Sequence, residues 1–339
     1  MLFSLLIVAA VAVVGMVVQV PYVSLGPGPT YDTLGNLDGT ALVTVNGAET
    51  FDTGAGQLRM TTVNVNNDLT LFEALGLWAS GRYALAPRED YIKPGQTEDD
   101  IDKQNTKAFQ DSQTNAEVAA LRHLGFPVKV IAQEVTSGAP ADGVVAPGDR
   151  IIDVNGKTIT AQEDVRAALT GTTPGSQVAI TVQHESQAPV TRTITLAKAT
   201  DFGADERAEG FIGLGPTERA DVPFTTRIVL DKVGGPSAGL MFALAIVDRL
   251  TPGELSDGMT VAGTGEITSR GDVGPIGGIQ FKLVAAKEAG ASVFLVPKSN
   301  CAEAKAAAPD GLRLVRVETL DGAVTALEDI DAGREVPSC

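Results

Sequence analysis

The stretch from Gly235 to Val247 reads GPSAGLMFALAIV, and it constrains the chain more than any other. Met241, Phe242, Leu244, Ala245, Ile246 and Val247 make it a strongly apolar helix, and a helix apolar on every side must be buried. Pro236 suits the start of such a helix, because the N–H it lacks would be unpaired there anyway. Ser237 follows, where free backbone N–H groups and the positive helix end can stabilise an anion. The fold must therefore enclose this helix while leaving a serine at its amino-terminal rim. A length of 339 residues is enough for a sizeable core and makes two domains the default expectation.

GPSAG satisfies G-x-S-x-G, the turn that presents the nucleophilic serine of α/β-hydrolases. That arrangement needs a histidine after the serine in chain order. The chain has two histidines, His123 and His184, and both precede Ser237. If Ser237 is a nucleophile, its base is something else. A lysine serves where burial or neighbouring positive charge makes its neutral amine available. Lys282 fits best, in a predicted helix over Ile279–Ala289 behind Gly277-Gly278, among Ile279, Phe281, Leu283, Val284, Ala285 and Ala286. Lys287 points about 140° away around that helix and reads as the solvated one. On its own, Lys282 reads sooner as a lysine snorkelling at the edge of the core.

Other classes fall to arithmetic. Lys+Arg number 26 and Asp+Glu 42, a net charge of −16, which argues against nucleic acid as a partner. Two cysteines cannot build a tetrahedral thiolate zinc site, and the sequence implies neither a metal nor another cofactor. Gly156-Lys157-Thr158 ends like a P-loop, but Ile151 stands where that motif needs its first glycine, so no ATPase module is expected.

Residues Leu2 to Val18 are apolar apart from Ser4 and the run stops at Pro21, the short end of a membrane-spanning helix. No small-x-small exit follows, which favours an uncleaved anchor over a signal peptide. The first basic residue is Arg59, so the positive-inside rule has little to act on. The expectation is a single-pass anchor in the cell membrane, with the bulk of the chain on the extracytoplasmic side. Cys301 and Cys339 either form a disulfide that pins the tail or, in a reducing compartment, stay two separate thiols. Gly26-Pro27-Gly28-Pro29 reads as a stiff connector leaving the membrane. Strands are expected over Ala41–Gly47 and Gln57–Val65, then a helix capped by Asp68 that carries Leu69, Leu71, Phe72, Leu75 and Trp78. The acid-rich run from Arg88 to Gln113 reads as solvated surface or loop, and Asn115–Leu124 as a helix.

From about Leu124 to Lys198 the text alternates as short strands around GVVAPGDRIIDVNGK, with turns at Gly148-Asp149 and Asn155-Gly156 and a helix over Gln162–Leu169. This stretch resembles the core of a PDZ domain. The resemblance implies binding of extended C-terminal peptides by strand addition, with backbone N–H groups holding the terminal carboxylate. Leu124-Gly125-Phe126 looks like a degraded carboxylate-binding loop, or else an ordinary helix stop at Gly125.

Three ordered blocks follow: GPSAG, TGEITSRGDVGPIGG, and KLVAAKEAG with VFLVP. Together they resemble the proteolytic domain of the Lon protease family. The resemblance implies a Ser-Lys dyad of Ser237 as nucleophile and Lys282 as general base, with Ala238, Thr264 and Glu266 as supporting or oxyanion residues. Gly234 stands where that family usually has aspartate, and Gln280 where it often has lysine. The expected class is α+β: an anchor over 1–20, an N-terminal segment over 21–123, a small β-barrel-like PDZ domain over 124–200 and a Lon-type domain over 201–339. The N-terminal segment could belong to the protease body, with the PDZ domain inserted. The implied activity is ATP-independent cleavage of unfolded or flexible exported and membrane proteins, in a ring oligomer, a hexamer by resemblance. The other reading is a degenerate, membrane-tethered PDZ adaptor that binds protein C-termini.

Overall fold

The computed structural model describes residues 3, 12–51, 54–93, 95–230 and 233–339. The chain forms two compact units, one from Met1–His123 with Phe224–Cys339 and one from Leu124–Pro223. The second thus interrupts the first in sequence. In chain order the first unit supplies β1 (Tyr22–Asp32), β2 (Val43–Asn46), β3 (Gln57–Asn66), α1 (Leu71–Ala79), β4 (Ala84–Pro87) and α2 (Glu98–His123). The second supplies β5 (Val128–Val135), β6 (Arg150–Val154), α3 (Gln162–Ala168), β7 (Gln177–Gln183), β8 (Val190–Thr195) and β9 (Leu214–Ala220). The first resumes with β10 (Thr225–Ile228), α4 (Gly239–Leu250), β11 (Thr260–Gly263), α5 (Ile279–Glu288), β12 (Val293–Pro297), α6 (Cys301–Ala306), β13 (Arg313–Val317) and α7 (Leu320–Asp331).

The main sheet of the first unit runs β13-β12-β11-β3-β1-β4. Pairing is parallel from β13 to β3 and antiparallel from β3 to β4. Every residue of β12 (VFLVP) is buried, as expected of a parallel strand covered on both faces. Helix α4 is buried continuously from Gly239 to Asp248. Phe242 of α4 meets Phe109 of α2 edge-on, ring centroids 5.8 Å apart. Truncating a buried ring of this kind costs about 3–5 kcal/mol.

Several sequence expectations change in extent. The expected anchor falls largely on residues 1, 2 and 4–11, which lie outside the described residues. Among the described residues no helix is long and apolar enough to cross a membrane. Gly26-Pro27-Gly28-Pro29 is part of β1, not a connector: the register with β3 shifts between Pro27 and Thr30. Pairing with β4 covers only Tyr22–Leu25, so neither proline is asked for a ladder donor on that side. The helix after β3 is capped by Thr70, not Asp68: the Thr70 hydroxyl accepts from Glu73 N–H and the Glu73 carboxylate accepts from Thr70 N–H.

The acid-rich run is mostly helix. Thr97 and Asp100 cap α2 reciprocally, and Asp99–Lys103 and Lys107–Asp111 pair one turn apart along its exposed face. The apolar pattern marked only its carboxyl half, where Ala116, Val118, Ala119, Ala120 and Leu121 are buried.

The second unit holds an antiparallel sheet in the order β8-β7-β6-β5-β9 over its own core of Val130, Ile151, Val154, Val178, Ile180 and Ile194. Asn155 and Gly156 turn with φ of 54° and 79°, the two left-handed positions of a tight hairpin turn. The boundary drawn at residue 200 moves to 223, because β9 pairs with β5 along Leu214–Ala220.

Cys301 and Cys339 form a disulfide. The tail it holds runs beside the edge strand β13, with Arg316 N–H donating to Pro337 O at 2.9 Å. Closing a loop of that length contributes on the order of 4 kcal/mol by the chain-entropy account.

Asp248, at the end of α4, is fully buried. Its Oδ1 accepts from Leu255 N–H at 2.8 Å, while Oδ2 has no partner among the described residues. Burial holds its carboxyl up to about 6, with Glu254 and Asp32 adding to the rise and Arg249 opposing it. The unfolded chain ionises this group near the ordinary 3.8, so the stability of the neutral form is complete below that pH and is lost as pH rises to about 6. Asp248→Asn keeps the Leu255 bond without the buried charge. It is expected to be more stable than the parent by about 1–2 kcal/mol at neutral pH and nearly equal to it in acid. Urea titrations on either side of the transition measure the difference.

Candidate active site

The turn before α4 is fixed from two sides. Gly235 sits at φ +82°, where a side chain would be strained, and its N–H donates to Asn105 O of α2 at 3.0 Å. Ser112 of α2 donates its hydroxyl to Pro236 O at 2.9 Å. On the other side Gly265 N–H donates to Ser237 O at 2.9 Å and Leu240 N–H to Gly265 O at 3.1 Å. Gly239 permits this closeness, because a Cβ there would lie 2.8 Å from both Ile267 Cγ2 and Ser112 Oγ. Among the described residues the N–H groups of Ser237 and Ala238 have no backbone acceptor, which leaves two donors at the start of α4.

Lys282 lies on the buried side of α5 and is 2% exposed. Its Nζ is 2.8 Å from Ser237 Oγ, 3.1 Å from Thr264 Oγ1 and 3.1 Å from Thr61 O. The three oxygens around the amine accommodate it charged or neutral. Thr61 O can only accept. Thr264 spends its proton on Ser237 O at 2.9 Å, so toward Lys282 it also accepts. The ammonium donates to all three; once it loses a proton, two N–H groups remain for Thr61 O and Thr264 Oγ1 and a lone pair faces the Ser237 hydroxyl proton. Burial lowers the Lys282 amine from 10.5 to about 8. Taking an ammonium out of water is costly unless a counter-charge is near, and no carboxylate contributes to the shift.

These groups open on a cleft of about 740 Å³ lined by Tyr31, Thr62, Asn64, Asp102, Asn105, Ser237 and Lys282 among others. Glu266 lines it too, exposed, with its carboxyl raised by burial, and it bonds to neither Ser237 nor Lys282. Of the sequence candidates, Ser237, Ala238, Thr264 and Lys282 come together, while Glu266 stands at the cleft wall. Thr61 was missed: it acts through its backbone oxygen, which no side-chain pattern reveals. Asn105 and Ser112 were missed because the polar half of α2 read as loop.

In the second unit Leu124, Gly125 and Phe126 do not head an open strand. Gly125 has φ +77° and follows the end of α2, a helix stop. The strand after it, β5, is paired on both edges, by β6 and β9. The free edge on that side of the sheet belongs to β9, where Glu218 accepts from Gln162 N–H at the start of α3.

The family model described as the Lon protease (S16) C-terminal proteolytic domain matches residues 231–327, and that for the PDZ domain matches residues 97–195. The chain carries a Lon proteolytic domain and a PDZ domain. The Lon match contains Ser237, Thr264 and Lys282. The PDZ match begins at Thr97, just before α2 of the first unit, and stops before β9. Lon protease 1 of Thermus thermophilus is 49% identical over 71 residues, 21% of this chain and 9% of its own length. The Lon protease of Azospirillum brasilense is 37% identical over 129 residues, 37% of this chain and 16% of its own length. The chain thus spans 9–16% of these relatives. The PDZ domain of the SdrC-like protein from Listeria monocytogenes is 20% identical, with a TM-score of 0.23, over 26% of this chain and 87% of its own.

If the hydroxyl of Thr264 aligns the amine, Thr264→Val loses one of its three contacts while keeping the shape. The Lys282 resonance followed by NMR in ¹³C-labelled protein is expected to titrate near 8 in the parent and to move in Thr264→Val. An unshifted titration would show that the hydroxyl does not hold the amine.

Proposed function

We propose that the chain is a serine endopeptidase of Ser-Lys type, with Ser237 as nucleophile and Lys282 as general base. The contact between Lys282 Nζ and Ser237 Oγ at 2.8 Å carries this reading. The neutral amine takes the hydroxyl proton as Oγ forms a bond to the peptide carbonyl carbon. The N–H groups of Ser237 and Ala238 hold the negative oxygen that develops. The C–N bond then breaks as the Lys282 ammonium returns its proton to the departing amine nitrogen. Water, deprotonated by the same amine, cleaves the ester and regenerates Ser237. No step consumes ATP, and a cleft of this size suits an extended, unfolded or flexible chain.

The second unit then recruits substrate. A C-terminal peptide adds as a strand at the open edge of β9, beside α3. The apolar run at the chain start is read as an anchor that keeps this body at a membrane, on its extracytoplasmic side, where the Cys301–Cys339 disulfide persists.

Cleavage of casein by the full chain, beside Ser237→Ala and Lys282→Ala, tests the activity. Each substitution is expected to lower kcat by roughly a thousandfold or more. Equal rates in all three would remove the peptidase reading and leave a peptide-binding adaptor. The pH dependence has a fixed sign. Because the amine must be neutral, kcat/KM is expected to rise with pH and level off above about 8. A profile that falls across that range would exclude Lys282 as the base.

A further inference from the structure

Helix α1 turns an apolar face outward. Leu71, Phe72, Leu75 and Trp78 share one side of it and are 40%, 42%, 48% and 66% exposed. The charge nearest them, Glu73, is folded back onto Thr70. An apolar face of this kind rimmed by polar chain marks a contact surface.

The end of the apolar amino-terminal run lies against the same helix. Val20 N–H donates to Leu69 O at 2.8 Å, and Gln19 bridges to Thr70. Gly15 backs onto the Phe72 ring so closely that a Cβ would sit 2.5 Å from it. Val13, Val14, Met16, Val17 and Val18 are all more than half exposed. Two exposed apolar surfaces, joined by backbone hydrogen bonds and a ring contact, thus form one continuous patch. Residues 12–20 carry no charge at all.

We propose that α1 lies in the headgroup region of a lipid bilayer, with Leu71, Phe72, Leu75 and Trp78 toward the acyl chains, beside the amino-terminal segment where it leaves the membrane. This rests on reading that segment as an anchor. A helix this short, without lysine or arginine, binds a bilayer weakly by itself. Tethering by the anchor makes its contact intramolecular and supplies the effective concentration it lacks. Tryptophan is the side chain most at home at that depth.

The consequence reaches the candidate active site. Val65 and Asn67 line the cleft. Asn67 is separated from Leu71 by four residues of chain, which span at most about 14 Å. The cleft therefore opens close to the lipid surface, and its substrates are polypeptide segments emerging from the membrane.

Trp78 is the chain's one tryptophan, so its emission reports this face alone. The test uses the full chain reconstituted in phosphatidylcholine vesicles, plain or brominated near the headgroup end of the acyl chains, with flotation measured alongside. Brominated lipid is expected to lower the emission roughly twofold. Leu71→Asp combined with Leu75→Asp, both at exposed positions, is expected to restore it while the chain still floats with the vesicles. Flotation with Trp78 unquenched overturns the proposal and leaves the anchor. Quenching untouched by the double substitution also overturns it, since α1 would then be carried passively. Loss of flotation in the parent removes the anchor and this proposal together. Emission that shifts with protein concentration but ignores bromine assigns the face to a second copy of the chain, against the proposal.

Discussion

Burying one amine organises the first unit. Burial disfavours Lys282 as an ammonium, and among the described residues the structure bonds no carboxylate to it. The fold provides two oxygens that accept and one hydroxyl whose proton needs a taker. Those partners come from β3, from the residue after β11 and from the turn before α4, and α5 carries the amine. Parallel pairing of β11 with β3 sets Gly263 against Met60, which brings Thr61 and Thr264 to the same end of the sheet. The Thr61 hydroxyl donates to Gly263 O at 3.2 Å and locks that register at the site. The sheet is thus a device for delivering two oxygens to one nitrogen.

Close packing beside the serine belongs to the same logic. Gly234 precedes the turn, and a Cβ there would lie 2.7 Å from Asn105 Cβ. A side chain at 234 would push α2 away from the turn it holds through Asn105 O and Ser112. A carboxylate so near would also favour the charged amine and work against the burial that lowers it. What lowers the Lys282 amine is burial.

What the sequence made legible divides along the same physical line. Ser237 was legible in its Gly-Pro-Ser turn before an apolar helix, whereas Lys282 read alone as a snorkelling lysine and stood out only through the resemblance of the three blocks. The Thr61 oxygen could not be found, since any residue on that strand offers the same carbonyl. The first half of α2 was hidden because its stability comes from the Thr97–Asp100 cap and ion pairs one turn apart, not from a buried stripe. The T-x-x-D spacing was a signal that polarity obscured. The end of the second unit was missed because β9 reads LGPTERA, with Gly215 and Pro216 arguing against a strand. That objection is met by a register shift between those two residues, which takes the proline out of the regular ladder.

The interruption of the first unit is cheap for a reason the two break points show. Helix α2 is held before the break by Phe109 against Phe242 and by His123, whose Nδ1 lies 2.6 Å from Asp321 Oδ1. After it, β10 pairs with β2 along Thr225–Ile228. Each end is thus fixed by contacts within its own unit, and closing a loop costs free energy only as the logarithm of its length. The same two elements lead into the site: α2 grips the turn at Gly235 and Pro236, and β10 begins the chain that runs into Ser237. An insertion here leaves these contacts of the first unit in place.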